Sequence, residues 1–262
     1  MKRTPTTIKT EKLPTELGAL ITGAKIYDSS SSPEARVYYI EKDTGYYLKR
    51  AAPGTLKREA SMTSYFHKIG LAPEALGYFS TPDCDLLLTR RARGEDCTHN
   101  TYLENPKQLC DTIAKVLREL HEMDFSTCPV KDRTSEYIAL ARENYFTGNY
   151  DTSHFPDSFG YRCAEEAFAV LTEGACLLRS DTLIHGDFCL PNILLDSWGF
   201  SSFIDLGLAG VGDRHVDLFW GAWTLGFNLG TDSLRERFFD AYGRDRVDSD
   251  VLRVVGAAEV FG

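Results

Sequence analysis

The sequence predicts an α+β fold in two lobes: an N-terminal antiparallel sheet with one helix, then a larger, mainly helical lobe. Three observations carry this. Short strand patterns crowd the first third of the chain. Helical periodicity dominates the remainder, apart from a late cluster of short strands. The change comes at "TRRARGED", a stretch around Gly94 with no apolar run. The expected lobes are residues 1–90 and 95–262, with 91–94 as a hinge and a cleft beside it.

"RVYYIE" and "YYLKR" alternate as strands do and are separated by "KDTG", a hairpin turn with Gly45. A helical pattern then covers 55–69. "EALGYFS" and "DLLLT" form a second strand pair across "TPDC". "NPKQLCDTIAKVLRELHEMD" is the strongest helix. Asn105 is expected to cap it, Pro106 suits its first position, and Gln108 would complete a capping box. Its apolar residues Leu109, Ile113, Val116, Leu117, Leu120 and Met123 recur at helical spacing, so one face is deeply packed. Further helices are expected at 135–147, 160–178, 214–228 and 232–242. Short strands near 183–185, 192–195 and 201–204 are joined by tight connections, with "DSWG" as the last turn.

Bulk composition narrows the function. The chain of 262 residues is 43% hydrophobic and 26% charged, enough to bury a core along most of its length. No apolar run approaches the ~18 residues that a membrane helix needs. The N-terminus "MKRTPTTIKTEKLPTELGALITG" lacks the roughly 7–15-residue apolar stretch of a signal peptide. Seven scattered cysteines, none in a C-x-x-C pair, fit neither a disulfide framework nor a zinc site. A cytoplasmic location is the expectation. A net charge of -9 disfavours nucleic acid as a partner. It suits a cationic small molecule, or simply solubility.

The chemistry-bearing residues cluster in "HGDFCLPNILL". Asn192 lies five residues after Asp187, and Asp205 lies thirteen after Asn192, at the end of "FSSFIDLG". The intervening "NILLDSWGFSSFID" reads as a β-hairpin, which returns its far end to its start. Two oxygen donors, Asn192 and Asp205, are thereby expected to meet, as a hard cation such as Mg²⁺ prefers. Asp187, on the loop before the hairpin, is left to address an acceptor hydroxyl. The set suits phosphoryl transfer. Local turns and caps would explain each residue taken alone.

A phosphotransferase also needs a cation for nucleotide phosphates. Lys49 ends a strand, and Glu59 comes ten residues later on the next helix. Such a pair can hold the ammonium toward phosphates, or be a surface ion pair. Ser29 to Ser32, including Ser31 and Ser32, would let backbone N–H groups approach phosphates, or form a plain serine turn. Arg90, Arg91 and Ala92 would offer main-chain groups to a purine edge, or form a solvated surface run.

"HGDFCLPN", "FIDLG" thirteen residues on and then "DRHVD" resemble the aminoglycoside 3'-phosphotransferases, small kinases with a protein-kinase-like fold. The likeness runs through "YYLK", Glu59, "LRELHEMD", "TCP" and "FFDAYGRDRVD". It implies Asp187 as the catalytic residue, Asn192 and Asp205 as Mg²⁺ ligands and Lys49 at the phosphates of ATP, with GTP as a possible donor. It also implies that His185 braces the catalytic loop, while His121 looks structural. By the same likeness Asp151, Asp157, Glu259 and Phe261 would face the substrate, in a monomer or dimer. Departures concern the acceptor. Leu208 stands where the family often has Arg, and the ending "GAAEVFG" keeps only Glu259 as an acid. The helix "LFWGAWTLGFNL" carries Trp223 and Phe227 where charged residues are usual. Those two aromatics would stack on a substrate or pack in the core, and their i, i+4 spacing favours the core.

Other readings remain open: a kinase of this fold acting on a macrolide, a peptide antibiotic, choline or a sugar, or a nucleotide-binding module without turnover. Neither the G-x-S-x-G of a hydrolase nor the H-E-x-x-H of a metalloprotease is present.

Overall fold

The computed structural model describes residues 3–8, 13–30, 35–150 and 161–262. Ser31, Ser32, Asp151 and Asp157 lie outside the described residues. Packing divides the chain into Met1–Asp96 with Leu194–Gly207, and Cys97–Ile193 with Leu208–Gly262. The late hairpin thus groups with the first unit, whereas a reading by chain order assigns it to the second.

The first unit is built on a six-stranded antiparallel sheet. Its strands are β1 (Thr4–Thr6), β2 (Lys25–Asp28), β3 (Ala35–Glu41), β4 (Tyr46–Ala51), β5 (Ala75–Ser80) and β6 (Asp85–Arg90), in the order β1-β2-β3-β4-β6-β5. Both expected hairpins are present, and β4 pairs with both β3 and β6. Alternation decides the faces. Ile26, Ile40, Tyr46, Leu48, Leu86 and Leu88 point one way and are covered by Leu17 and Ile21 of helix α1 (Thr15–Ile21). Leu87 points the other way, against Leu56 and Ala60 at the start of helix α2 (Lys57–Lys68). Lys49, opposite Leu87 in the register, shares that second face. The sheet therefore has a helix on each face, where the sequence predicts one helix in this region. The α1, β1 and β2 segments are too short to show a period.

The rest of this unit is a three-stranded sheet, β10-β9-β7, of β7 (Glu95–Asp96), β9 (Ile193–Asp196) and β10 (Gly199–Phe203). Ser197 and Trp198 both take positive φ in the two-residue turn of β9 and β10, as a type I′ turn demands. Gly94, also at positive φ, passes so close to the Leu195 carbonyl that any Cβ would collide with it. Phe203 anchors the hairpin to α2. Its N–H donates to the Leu71 carbonyl at 2.8 Å, and its ring meets Phe66 edge-on at 6.3 Å.

The second unit is helical. Its helices are α3 (Asn100–Leu103), α4 (Pro106–His121), α5 (Arg133–Thr147), α6 (Ala164–Gly174), α7 (Arg214–Leu229), α8 (Arg235–Tyr242) and α9 (Ser249–Glu259). The apolar stripe of α4 is buried as its period predicts, and α4 packs on α7 and α8. The capping box is not formed: Asn105 turns back and donates its amide to the Thr101 carbonyl at 3.1 Å, so α4 has no side-chain cap. The expected 160–178 helix is shorter, with a 3₁₀ turn at Ala175–Leu177 after α6. The strand trio also divides. Strand β8 (Thr182–Ile184) pairs with β11 (Gly210–Gly212), away from β9 and β10. Among the described residues, no helix is long and apolar enough to cross a membrane.

Candidate active site

The second unit shapes the loop His185–Asn192 directly from its core. Strand β8 is wholly buried and delivers His185 and Gly186 to the N-terminal half of α7. Asp217, fully buried on α7, accepts the His185 N–H on Oδ2 and the Gly186 N–H on Oδ1, each at 2.7 Å. It also accepts from His121 Nε2 at 3.1 Å. Because a carboxylate only accepts, His121 donates through Nε2, and its Nδ1 takes the Tyr242 hydroxyl at 2.8 Å. Burial holds the His121 pKa down, against the pull of Asp217, so the ring is neutral near pH 7. His121 is structural, as expected. It ties α4, α7 and α8 behind the loop.

Gly186 turns the chain at positive φ, and a Cβ there would run into the Leu208 carbonyl. Beyond it, the Asp187 N–H donates to His185 Nδ1 at 3.3 Å, which gives His185 the bracing part the sequence suggests. Asn192 closes the loop. Its amide donates to the Asp187 carbonyl at 3.0 Å and to Asp187 Oδ2 at 2.8 Å. Thr224, on α7, accepts the Leu190 N–H at 3.1 Å. Asp187 is therefore held on both sides, with its carboxylate only half-buried.

The first unit gathers the remaining charged set. Lys49 Nζ donates to Glu59 Oε2 and to Asp205 Oδ1, each at 2.8 Å. Burial works to lower the Lys49 pKa, but the two carboxylates outweigh it and raise it. Glu59 moves up as well, chiefly through burial, against the pull of Lys49 and with the negative charge of Asp205 adding to the rise. Asp205 takes a left-handed backbone conformation at φ 59°, rare for a residue with a side chain. The Lys–Glu pair is thus neither a surface bridge nor isolated. It shares its ammonium with the acid that ends "FSSFID".

A buried carboxylate that the sequence does not flag aligns α2. Asp85, on β6, accepts from the Leu56 N–H at 3.1 Å, the Tyr78 hydroxyl at 2.9 Å and the Ser80 hydroxyl at 2.7 Å. Burial favours its neutral form, but the hydrogen bonds from Ser80, Gly54, Tyr78 and Leu56 prevail and hold its pKa below the ordinary value. By capping the start of α2, Asp85 sets where Glu59 meets Lys49. Past the other end of β6, a cavity of about 220 Å³ is lined by Arg3, Tyr47, Arg91, Ala92 and Gly94. Ala92, expected at a purine edge, is among its lining residues. Arg90 is not: its guanidinium pairs with Glu74 at 2.5 Å, and its N–H goes to the Glu74 carbonyl.

The residues expected at the substrate fall out unequally. Glu259, at the end of α9, accepts on Oε1 from the Tyr137 hydroxyl at 2.8 Å and from Trp220 Nε1 at 3.1 Å. Burial first, and the charge of Asp187 second, push its pKa up to about 7, although Tyr137 and Trp220 pull it down. Phe261 is a core residue: its ring is fully buried among Tyr145, Tyr150 and Phe168. Trp223 and Phe227, expected in the core, are instead exposed. Helix α7 is apolar on nearly every side, so spacing alone does not tell its buried face from its exposed one.

Oxygen donors of the kind a divalent metal takes are present in each unit: in the second, Asn192 spends its amide nitrogen on Asp187, which leaves its Oδ1, and in the first, Asp205 keeps Oδ2 beside the oxygen bound by Lys49. Among the described residues, no group of three or more His, Cys, Asp and Glu side chains could enclose a metal. A site of few protein oxygens, completed by water and phosphate, is what Mg²⁺ accepts.

Residues 30–253 match the phosphotransferase enzyme family. A probable aminoglycoside 3'-phosphotransferase of Lactococcus lactis subsp. lactis is 52% identical over 255 residues, which is 97% of each chain. The crystal structure of an aminoglycoside-3'-phosphotransferase of type VIII aligns with a TM-score of 0.77 at 22% identity, covering 92% of this chain and 94% of that one. An aminoglycoside phosphotransferase from Streptomyces rimosus, solved with ADP and streptomycin, aligns at 0.68 and 23% identity, covering 87% of this chain and 91% of that one. At such identities the solved structures establish the fold. With residues 30–253 matched and a relative 52% identical over nearly its whole length, the chain belongs to the phosphotransferase enzyme family.

Proposed function

We propose that the protein is an ATP- and Mg²⁺-dependent kinase that phosphorylates a hydroxyl of an aminoglycoside, in the manner of a 3'-phosphotransferase, and so confers resistance. The observation that carries this reading is the Asn192 amide on Asp187 Oδ2 at 2.8 Å. That bond orients a carboxylate whose other oxygen is left to take a proton. Asp187 accepts the proton of the acceptor hydroxyl as its oxygen bonds to the γ-phosphorus. The bond from that phosphorus to the β-bridging oxygen breaks, and ADP leaves with the electron pair.

Lys49 draws charge from the nucleotide phosphates, and Glu59 keeps its ammonium aimed. Asn192 and Asp205 are the residues that would hold Mg²⁺, which when bound offsets phosphate charge. Ala92 supplies main-chain groups at the purine. The cytoplasm is the expected location. Because the relatives' printed activities are aminoglycoside phosphorylation, the acceptor expected here is a polycation, and Glu259 is its carboxylate partner.

The test is direct. Purified protein with ATP, Mg²⁺ and either kanamycin or neomycin should yield ADP and a singly phosphorylated antibiotic, detected by mass spectrometry. Transfer to no aminoglycoside, with turnover on another hydroxylated small molecule, would overturn the substrate half. Nucleotide binding without transfer to any acceptor would overturn the whole.

A further inference from the structure

The segment "TCPVKDR" leads into α5 and is joined to Leu208–Gly212, the stretch that ends in β11. Two hydrogen bonds make the junction. The Val130 carbonyl accepts the Val211 N–H at 2.9 Å. Arg133 Nε donates to the Leu208 carbonyl at 3.0 Å. The Val130 carbonyl also takes the Cys128 thiol at 3.3 Å, which ties the segment to itself. All of these residues belong to the second unit.

Arg133 is only 8% exposed, which is rare for an arginine. Its guanidinium divides its donors. Nη1 pairs with Glu136, three residues along α5, while Nε meets the Leu208 carbonyl. The stem is fitted as closely as the head. A Cβ on Gly210 would stand 2.6 Å from Arg133 Cγ, so β11 needs glycine there for the stem to come so near. Burying a guanidinium is costly, and an apolar side chain of similar volume could fill the same space. What the apolar side chain would lack is a donor aimed at one carbonyl.

That carbonyl has a second neighbour. It fills the space a Cβ on Gly186 would need, and Gly186 is the residue before Asp187. Asp217 holds the Gly186 N–H, and the Leu208 carbonyl limits where its Cα can move. We propose that Arg133 is a positioning residue for phosphoryl transfer: by fixing the Leu208 carbonyl against Gly186, it sets the backbone that presents Asp187. The inference rests on the reading of Asp187 as the proton acceptor, and Arg133 acts through that carbonyl, not on a reacting atom. A displaced base loses rate steeply, because it must stay within hydrogen-bond reach of the hydroxyl. Lysine is an incomplete substitute, since one ammonium lacks the fixed fork that serves Leu208 and Glu136 together.

The full-length protein tests this through Arg133→Met, which keeps the stem and removes the donors, and Arg133→Lys, which keeps the charge and one donor group. With ATP, Mg²⁺ and kanamycin or neomycin, kcat should fall by roughly tenfold to 10²-fold in Arg133→Met, the scale of loss for a slightly misplaced catalytic group. The KM values for ATP and for the antibiotic should be held, because Lys49 and Glu59 are untouched. Arg133→Lys should recover part of kcat. Hydrogen–deuterium exchange supplies a readout that needs no turnover. In Arg133→Met the Gly186 and Asp187 amides should exchange faster, while those of α4 keep their wild-type rates. Unchanged kcat in Arg133→Met would overturn the inference, and so would unchanged exchange at Gly186 and Asp187. A joint loss of melting temperature, kcat and both affinities, with faster exchange throughout the second unit, would overturn it by making Arg133 a packing residue. A wild type that phosphorylates no aminoglycoside rejects the underlying reading instead, and the exchange result tells that failure from a failed clamp.

Discussion

Asp217 accepts the Gly186 N–H on Oδ1 at 2.7 Å, across 31 residues of chain, while its second oxygen takes the neighbouring His185 N–H at the same length. The backbone leading to Asp187 is fixed by one buried carboxylate. Asp217→Ala would strand two buried N–H groups and the His121 donor. It should cost about 3 kcal/mol or more in urea denaturation, since each orphaned donor costs ~1–3 kcal/mol. In protein that remains folded, kcat should fall more than ATP affinity, because Lys49 and Glu59 are untouched. Full activity at unaltered stability would contradict the loop's dependence on Asp217.

Asp187→Asn preserves size and leaves an oxygen for the Asn192 amide, but it removes the proton acceptor. Phosphate transfer should drop by roughly 10²–10⁴-fold, the usual contribution of a positioned base. ATP binding, read by fluorescent-nucleotide displacement, should stay within a few fold of wild type. Residual transfer above a tenth of the wild-type rate would remove Asp187 from the chemistry.

Lys49 and Glu59 should separate when mutated singly. Lys49→Met leaves Glu59 facing Asp205 with no cation between them, so both ATP affinity and thermal stability should fall. Glu59→Gln keeps the hydrogen bond and removes a carboxylate whose pKa burial has raised. Its stability change should stay within about 1 kcal/mol, since desolvation already opposes that charge. Paired thermal melts and ATP KM measurements distinguish the two. Equal losses from both substitutions would argue against this ranking.

Glu259 gives the protein a pH signature. Its pKa is raised from 4.5 to about 7, so folding favours the protonated form. The stabilisation is fully present below 4.5 and is lost as pH rises through about 7. A rise of that size is worth at most on the order of 3 kcal/mol. Wild-type melting temperature should therefore decline across this interval relative to Glu259→Gln, which has no such proton. Acceptor binding should move the other way, improving as Glu259 ionises toward pH 7 and above. Identical pH–stability curves for wild type and Glu259→Gln would dismiss the raised pKa.

Local chemistry makes much of the site readable. Gly186, Asp187 and Asn192 lie within one loop, and Lys49 and Glu59 come from one strand and the helix after it. The roles of Asp217 and Asp85 are not legible, although Asp217 ends "DRHVD": their N–H partners lie 31 or 32 and 29 residues away in sequence. No short-range pattern marks such an acid as buried. Helix α9 escapes because it is buried almost all round and contains Gly256, which blurs its period. Trp223 and Phe227 show the converse error: an apolar helix looks equally fit for burial on every side. For Asn105, the composition of a cap is present, but its amide finds a nearer acceptor at Thr101.

The contrast along α7 bears on how such a protein diversifies. Asp217 and Thr224 both hold the loop from this helix, so change there acts on folding and on the loop together. Trp223 and Phe227 are exposed on the same helix, where water tolerates a range of shapes. Substitution at those two positions should therefore cost little, and the two kinds of position should diverge at different rates among descendants.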